Sequence, residues 1–221
     1  MITVDIETAA NGKASAYWDQ KGFSAPGNYK DEAKIKAAIE EKRMESRGKS
    51  GLYPWTARVT CIVCFDGEWH TFYGEEEAVI LRDFGTYLST KGNAVLTGKN
   101  FLTFDNPMLV GRYIAHDLGV PAILRPTDQP RDVDHAFGFS SQSIRGSLKD
   151  YAWLMGIQGK LAHGSQAQTM FDEAAFDPEK WKDLVSYCQQ DVAITHEFLT
   201  RYLKPFVPEI EEPIAMEDMP F

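Results

Sequence analysis

Cysteine is scarce in this chain: 221 residues hold three. A small, odd number excludes a disulfide framework and fits a reducing compartment. Long apolar runs are missing as well, and none approaches the roughly 20 residues needed to span a bilayer. The chain opens directly on a strand-like run, with no room for a signal peptide before it. The expected setting is therefore cytoplasmic and intracellular, without a membrane, whether a cell or a virus within it encodes the chain. Basic excess is the third thing lacking. The formal charge is −9, opposite to the basic surface that usually gives affinity for polyanions. The deficit is uneven, because Glu209, Glu211, Glu212, Glu217 and Asp218 lie in residues 205–221 with no base and leave −4 for the rest. Four carboxylates singled out below account for that remainder. Net charge thus excludes nothing about polyanionic partners.

Cys61 and Cys64 form a Cys-x-x-Cys pair inside the strand-like run from Ala57 to Phe65. With no second pair and no nearby histidine pair, they read as core thiols rather than zinc ligands.

What is present begins with Met1-Ile2-Thr3-Val4-Asp5-Ile6-Glu7-Thr8. On a strand, Val4 and Ile6 share one face while Asp5 and Glu7 share the other. Two carboxylates on one strand face repel unless a cation sits between them, and a hard dication such as Mg²⁺ or Mn²⁺ favours carboxylate oxygen. An exposed strand face explains the pair about as well, unless other acids converge on it.

Residues 9–56 read as an insertion after this strand: a long loop to about Asn28, then a helix over 31–47 carried by Ile35, Ala38 and Ile39. That helix bears Lys34, Lys36, Lys42, Arg43 and Arg47. It is either a solvated face of paired charges or a phosphate-facing flap. Tyr17, Trp18, Phe23, Tyr29, Tyr53 and Trp55 form either base-stacking platforms or the insertion's own small core. Strands over 57–65 and 68–73 flank Asp66-Gly67, a strong hairpin signal. A helix over 75–88, a buried strand over 93–98 and a helix opening at Asp105-Asn106-Pro107 follow. Residues 123–137 suggest a short strand near Val133, 147–155 a helix capped by Ser147, and 157–173 a loop. The last helix runs from Pro178, capped by Asp177, to about Leu203.

Asp105 taken alone is a helix N-cap. On the last helix the apolar seam is Trp181, Leu184, Val185, Cys188, Val192, Thr195, Leu199 and Tyr202. Tyr187 and Asp191, four apart, stack beside that seam. A carboxylate there is better explained as a ligand than as a solvated charge; Glu179 and Asp183 sit on the far side. Asp132-x-Asp134-His135 is a competing acidic cluster, ranked below these residues, and His163 and His196 read as polar surface.

Asp5-x-Glu7, then Asn100 with Phe104-Asp105, then Tyr187-x-x-x-Asp191 resemble, in order, the three motifs of the DnaQ-like 3′→5′ exonucleases. Ser186 stands where the histidine branch would carry histidine, so the likeness is to the tyrosine (DEDDy) branch. Within it the chain is similar to the exonuclease domain associated with family B DNA polymerases, standing alone. The resemblance implies an α/β, ribonuclease-H-like fold: a central mixed five-stranded sheet flanked by helices, with the insertion after strand one. It implies one exonuclease domain over 1–204 and an acidic, proline-containing tail, extended or disordered, over 205–221. It implies two divalent ions, Mg²⁺ or Mn²⁺, held by Asp5, Glu7, Asp105 and Asp191. Asp5 would bridge them, Glu7 and Asp191 would bind the ion carrying the attacking water, and Tyr187 would orient that water. Thr8, Asn100 and Phe104 would grip the terminal nucleotides. The implied substrate is a single-stranded DNA 3′ end, cut to nucleoside 5′-monophosphates. An RNA-directed exonuclease of the same fold, or a non-catalytic single-strand-binding scaffold, stay as alternatives. The end of the tail, Met216 to Pro220-Phe221, resembles that of bacterial single-stranded-DNA-binding proteins, implying a replication or repair partner; a merely solubilising tail is the alternative.

Overall fold

The computed structural model describes residues 1–92, 94–124, 147–157 and 166–202. The strand expected near Val133, the Asp132–Asp134–His135 cluster, His163 and the tail with Pro220 and Phe221 lie outside them.

The chain begins with β1 (Ile2–Ala10), whose β-branched residues suit an extended backbone. Then come α1 (Ala14–Lys21) and α2 (Glu32–Gly48), with a 3₁₀ turn at Ser50–Leu52. β2 (Ala57–Phe65) and β3 (Trp69–Tyr73) form the hairpin around Asp66-Gly67, where Gly67 takes φ 103°. α3 (Glu77–Ser89), β4 (Leu96–Thr97) and α4 (Asp105–Ala115) follow. The remaining helices are α5 (Leu148–Met155), α6 (Ala167–Ala174) and α7 (Trp181–Tyr202).

Among the described residues the sheet has four strands, ordered β3-β2-β1-β4, and not the expected five. β1 lies inside it, antiparallel to β2 with Asp5 opposite Val63 and Glu7 opposite Cys61, and parallel to β4 through Ile2 and Thr3. Alternation along the strands sorts two faces. Ile2, Val4 and Ile6, with Ile62 and Cys64, pack under α3 and α4 against Phe84, Met108 and Leu109. Cys61 and Val63 face α6 and α7, meeting Ala174, Leu184, Cys188 and Val192. Asp5 and Glu7 therefore point toward α7.

One buried polar network ties α4 to the sheet. Glu77 accepts from Val59 N–H at 2.7 Å, from Arg112 Nε and Nη2 at 2.8 Å each, and contacts His116 Nε2 at 2.8 Å. Burial pushes the Glu77 carboxyl up, but these bonds outweigh it and hold it below its ordinary value.

Several expectations are corrected. β4 spans two residues rather than 93–98: the chain turns at 99–100, just past Gly98, which still lies against β1 so closely that a Cβ would come 2.5 Å from Val4 O. Part of the loop expected after Thr8 is helix α1. Trp18 anchors it, 4% exposed, with Nε1 donating to Ser50 Oγ at 2.9 Å, so tertiary burial overrides weak local periodicity. The loop expected over 157–173 contains the start of α6, fixed by Met170 and Phe171 packing beside Trp181. His196 is no surface histidine: it is 1% exposed, with Nδ1 2.9 Å from Thr3 Oγ1. No helix among the described residues is long and apolar enough to cross a membrane.

Candidate functional site

Three separate pieces of chain bring the acids together. β1 delivers Asp5 and Glu7 on the face toward α7. β4 ends at Thr97 and Gly98 covers Val4, so past them the edge of β1 is taken up by Asp105, whose Oδ1 accepts from Ile6 N–H at 3.2 Å. Asp105 is the first residue of α4, is 3% exposed, and is not its N-cap; Phe104 is. α7 supplies Tyr187 and Asp191 one turn apart, their side chains hydrogen-bonded to each other.

All five line one cleft of about 460 Å³, together with Ile6, Thr8, Gly48, Gly51, Leu52, Lys99, Phe104, Ala167 and Gln168. Thr8 Oγ1 is engaged, donating to Gly51 O at 2.7 Å, so the end of the insertion is pinned as one wall. Phe104 borders the cleft and also packs on the main core. Asn100 does not line the cleft: it is exposed, sits at φ 59°, and its backbone oxygen accepts from Phe104 N–H at 2.9 Å. Asparagine tolerates that left-handed conformation, so the structure gives Asn100 the turn that aims α4.

The arginines of α2 are tied down beside α1, Arg47 to Asp19 at 3.2 Å and Arg43 to Glu40 at 2.9 Å, as the paired-charge reading of that helix expects. The insertion's aromatics form a cluster in which Trp18 lies edge-on to Tyr17 at 5.0 Å and to Tyr53 at 5.8 Å. Trp55, 52% exposed, stacks on Tyr53 at the outside.

Electrostatically the cleft is frustrated. Burial, then the neighbouring Asp105, raises the Asp5 carboxyl well above its ordinary value, against a bond from the Cys188 thiol. Burial, then Asp5 and Asp191, raises Glu7. Burial and Asp5 raise Asp191, with the Tyr187 bond pulling the other way. Tyr187 itself is pushed up by burial and by Asp191, Glu7 and Asp5, which keeps its hydroxyl protonated and able to donate.

Glu7 is 7% exposed, and no hydrogen bond reaches its carboxylate among the described residues. A carboxylate held in a largely buried cleft against Asp5 and Asp191 is costly, and a hard dication is the counter-charge that oxygen donors of this kind suit. The residues present fit such an ion.

Two contributors escaped the reading of the sequence. Cys188, assigned there to the apolar seam, donates its thiol to Asp5 Oδ2 at 3.4 Å and to Asp5 O at 3.5 Å. One ligand atom each from Asp5, Glu7 and Cys188 lies within 4.8 Å of the others. The signal was available: an inward seam position three before Asp191 must meet the odd-numbered face of β1. Gln168 on α6 accepts from Ala10 N–H at 2.7 Å and borders the cleft. No local pattern marks that long-range contact.

Fold and cleft together define a mixed α/β protein, compatible with a ribonuclease-H-like fold, in which an inner strand and two helices gather four half-buried or buried carboxylates. No protein-family model matches the chain, and a comparison with curated proteins finds no match either. Among solved structures it is similar to the family B DNA polymerase from the hyperthermophilic archaeon Pyrobaculum calidifontis, with a TM-score of 0.59 and 18% identity. The match takes in 93% of this chain and 24% of that one. The chain thus spans about a quarter of the polymerase's length, and the likeness is one of fold.

Proposed function

We propose that the chain is a metal-dependent 3′→5′ exonuclease acting on single-stranded DNA ends, its exonuclease unit taking up residues 1–204. The observation that carries this reading is the meeting of Asp5, Glu7, Asp105 and Asp191 with the Tyr187 hydroxyl in one cleft. A pure binding scaffold gains nothing from buried acids that repel each other, whereas phosphodiester hydrolysis with two dications requires them. Bound dications supply a water acidified toward neutral pH and offset charge on the attacking and departing oxygens.

Each residue has a task in that scheme. Asp5, which repels both Asp105 and Glu7, would share in holding the dications, Mg²⁺ or Mn²⁺. Glu7 and Asp191 would help hold one ion, and Asp105 the other. Tyr187, protonated at neutral pH, orients the attacking water as a hydrogen-bonding group and does not act as its base. Lys99, a cation bordering the same cleft, offers charge to a phosphate. A volume of about 460 Å³ lies within the ~300–1,000 Å³ of small-molecule clefts, which suits one unpaired terminal nucleotide better than a duplex. Thr8 and Phe104 border the place where that nucleotide would lie.

The test is digestion of a 5′-labelled DNA strand, and of its RNA counterpart, with Mg²⁺, Mn²⁺ or chelator. A ladder shortening from the 3′ end, only with metal and faster on DNA, is expected. Internal cuts, loss from the 5′ end, or activity in chelator would overturn the reading; preference for RNA would transfer it to exoribonucleases. A partner held through Pro220 and Phe221 belongs to the same proposal, and deleting residues 216–221 should abolish capture of that partner while leaving digestion intact.

A further inference from the structure

Cys188, buried behind the cleft, sets a sulfur beside two of its carboxylates, a donor that hard-ion chemistry does not call for. Its Sγ lies 3.4 Å from Asp5 Oδ2. In a tetrahedral zinc site, a Zn–S bond of about 2.3 Å and a Zn–O bond of about 2.0 Å place sulfur and oxygen about 3.5 Å apart. The observed pair therefore already spans one edge of such a tetrahedron. Glu7 supplies a third ligand atom within 4.8 Å, from a carboxylate that is 7% exposed and free of hydrogen bonds among the described residues. The thiol is fully buried between the core residue Cys61 and Asp5, and its bond to Asp5 keeps the sulfur within reach of the carboxylates.

We propose that Cys188, Asp5 and Glu7 form a binding site for a soft or borderline dication of the zinc–cadmium type, and that its occupancy shuts the cleft to the hard activating ion. Sulfur selects such ions over magnesium, and zinc outranks manganese at a given set of ligands. Three protein ligands leave a fourth position open. Binding replaces the S–H bond with a metal–sulfur bond and releases the thiol proton to solvent. The first half of the proposal stands on geometry alone; the second rests on the exonuclease reading.

The test uses the full-length chain, stripped of metal and titrated with Cd²⁺ while the ultraviolet sulfur-to-cadmium charge-transfer band is recorded. The band is expected to saturate at about one equivalent, to vanish in Cys188→Ser, and to persist in Cys61→Ala and Cys64→Ala. Asp5→Asn, which keeps the sulfur, is expected to weaken cadmium binding by at least about tenfold. No band in the native chain, or an undiminished band in Cys188→Ser with its melting transition intact, would overturn the site. Zinc titrated into a manganese-supported digestion should inhibit the native chain at a concentration at least about tenfold below that needed for Cys188→Ser. Equal sensitivity would refute the inhibitory half. A native chain that cuts nothing with any metal would refute the exonuclease reading, and the cadmium band would still decide the site.

Discussion

Replacing Glu7 by glutamine should make the metal-free protein more stable. Glu7 is 7% exposed, and its ligand atom lies within 4.8 Å of one on Asp5. Two like charges at that separation, at an effective dielectric constant of about 20, repel by about 3.5 kcal/mol. Proton uptake sets a ceiling on the cost: at 1.36 kcal/mol per pH unit above an ordinary glutamate value of about 4.3, it is roughly 4 kcal/mol near neutrality. The amide of Glu7→Gln removes the charge but enters a site with no hydrogen-bond partner, at about 1 kcal/mol or more. The net gain is about 1–3 kcal/mol, or roughly 3–10 °C in melting temperature for a chain of this size. The pH dependence has a fixed sign. Burial, then Asp5 and Asp191, raises the folded-state pKa of Glu7, so its contribution is fully present below the unfolded value and is lost as pH rises toward the folded one. The variant's advantage should be absent near pH 4 and grow toward pH 8. Saturating Mn²⁺ should reverse the order, since a ligand at 100 times its Kd stabilises the native chain by about 2.7 kcal/mol and the variant by less. Thermal melts in chelator and in Mn²⁺, from pH 4 to 8, read all of this. A variant melting at or below the native chain in chelator at pH 8 would show that Glu7 is not repelled, and the electrostatic account of the cleft would fall.

Gly98→Ala should destabilise the fold by about 1–3 kcal/mol and depress digestion with it, because the added Cβ meets Val4 O at 2.5 Å beside Asp5; chemical denaturation measures the first effect. Glu77→Ala leaves Arg112, 6% exposed, without its carboxylate partner and should cost about 3–5 kcal/mol. The native Glu77 contribution should be present above the ordinary glutamate pKa and be lost as pH falls through the depressed folded value, which acid titration of the melting temperature would follow. Tyr187→Phe should lower the metal-supported cleavage rate by about 10²-fold while leaving the melting temperature within a few degrees; an unchanged rate would remove the hydroxyl from the scheme.

Much of this site could be read from local rules. Alternation in Ile2–Thr8 put both acids on one strand face, the Asp66-Gly67 turn fixed the β2–β3 register, and the spacing of Tyr187 and Asp191 put them on one side of α7. What could not be read depended on contacts distant in sequence. Asp105 taken alone read as a cap, and only the resemblance set it with the other acids; its bond from Ile6 N–H, 99 residues away, has no local signal. Asn100 takes a left-handed backbone in the turn before α4, next to Lys99 at the cleft, a conformation that no local pattern announced. Residues 192–200 are buried all round α7, which no single apolar stripe can signal; His196 was misread for that reason. Trp18 organised a helix where composition suggested a loop, because the hydroxyl it bonds lies 32 residues further on, at Ser50.

The most direct measurement is the single-turnover cleavage rate of Asp191→Ala on a 5′-labelled single strand with saturating Mn²⁺. Asp191 is half-buried and its side chain bonds to Tyr187 one turn away on the same helix, so the variant should melt like the native chain. A rate lower by a factor of about 10³ or more, with the folded spectrum kept, is the expected result. A folded Asp191→Ala that cuts at the native rate would contradict the assignment of these carboxylates to metal-dependent hydrolysis.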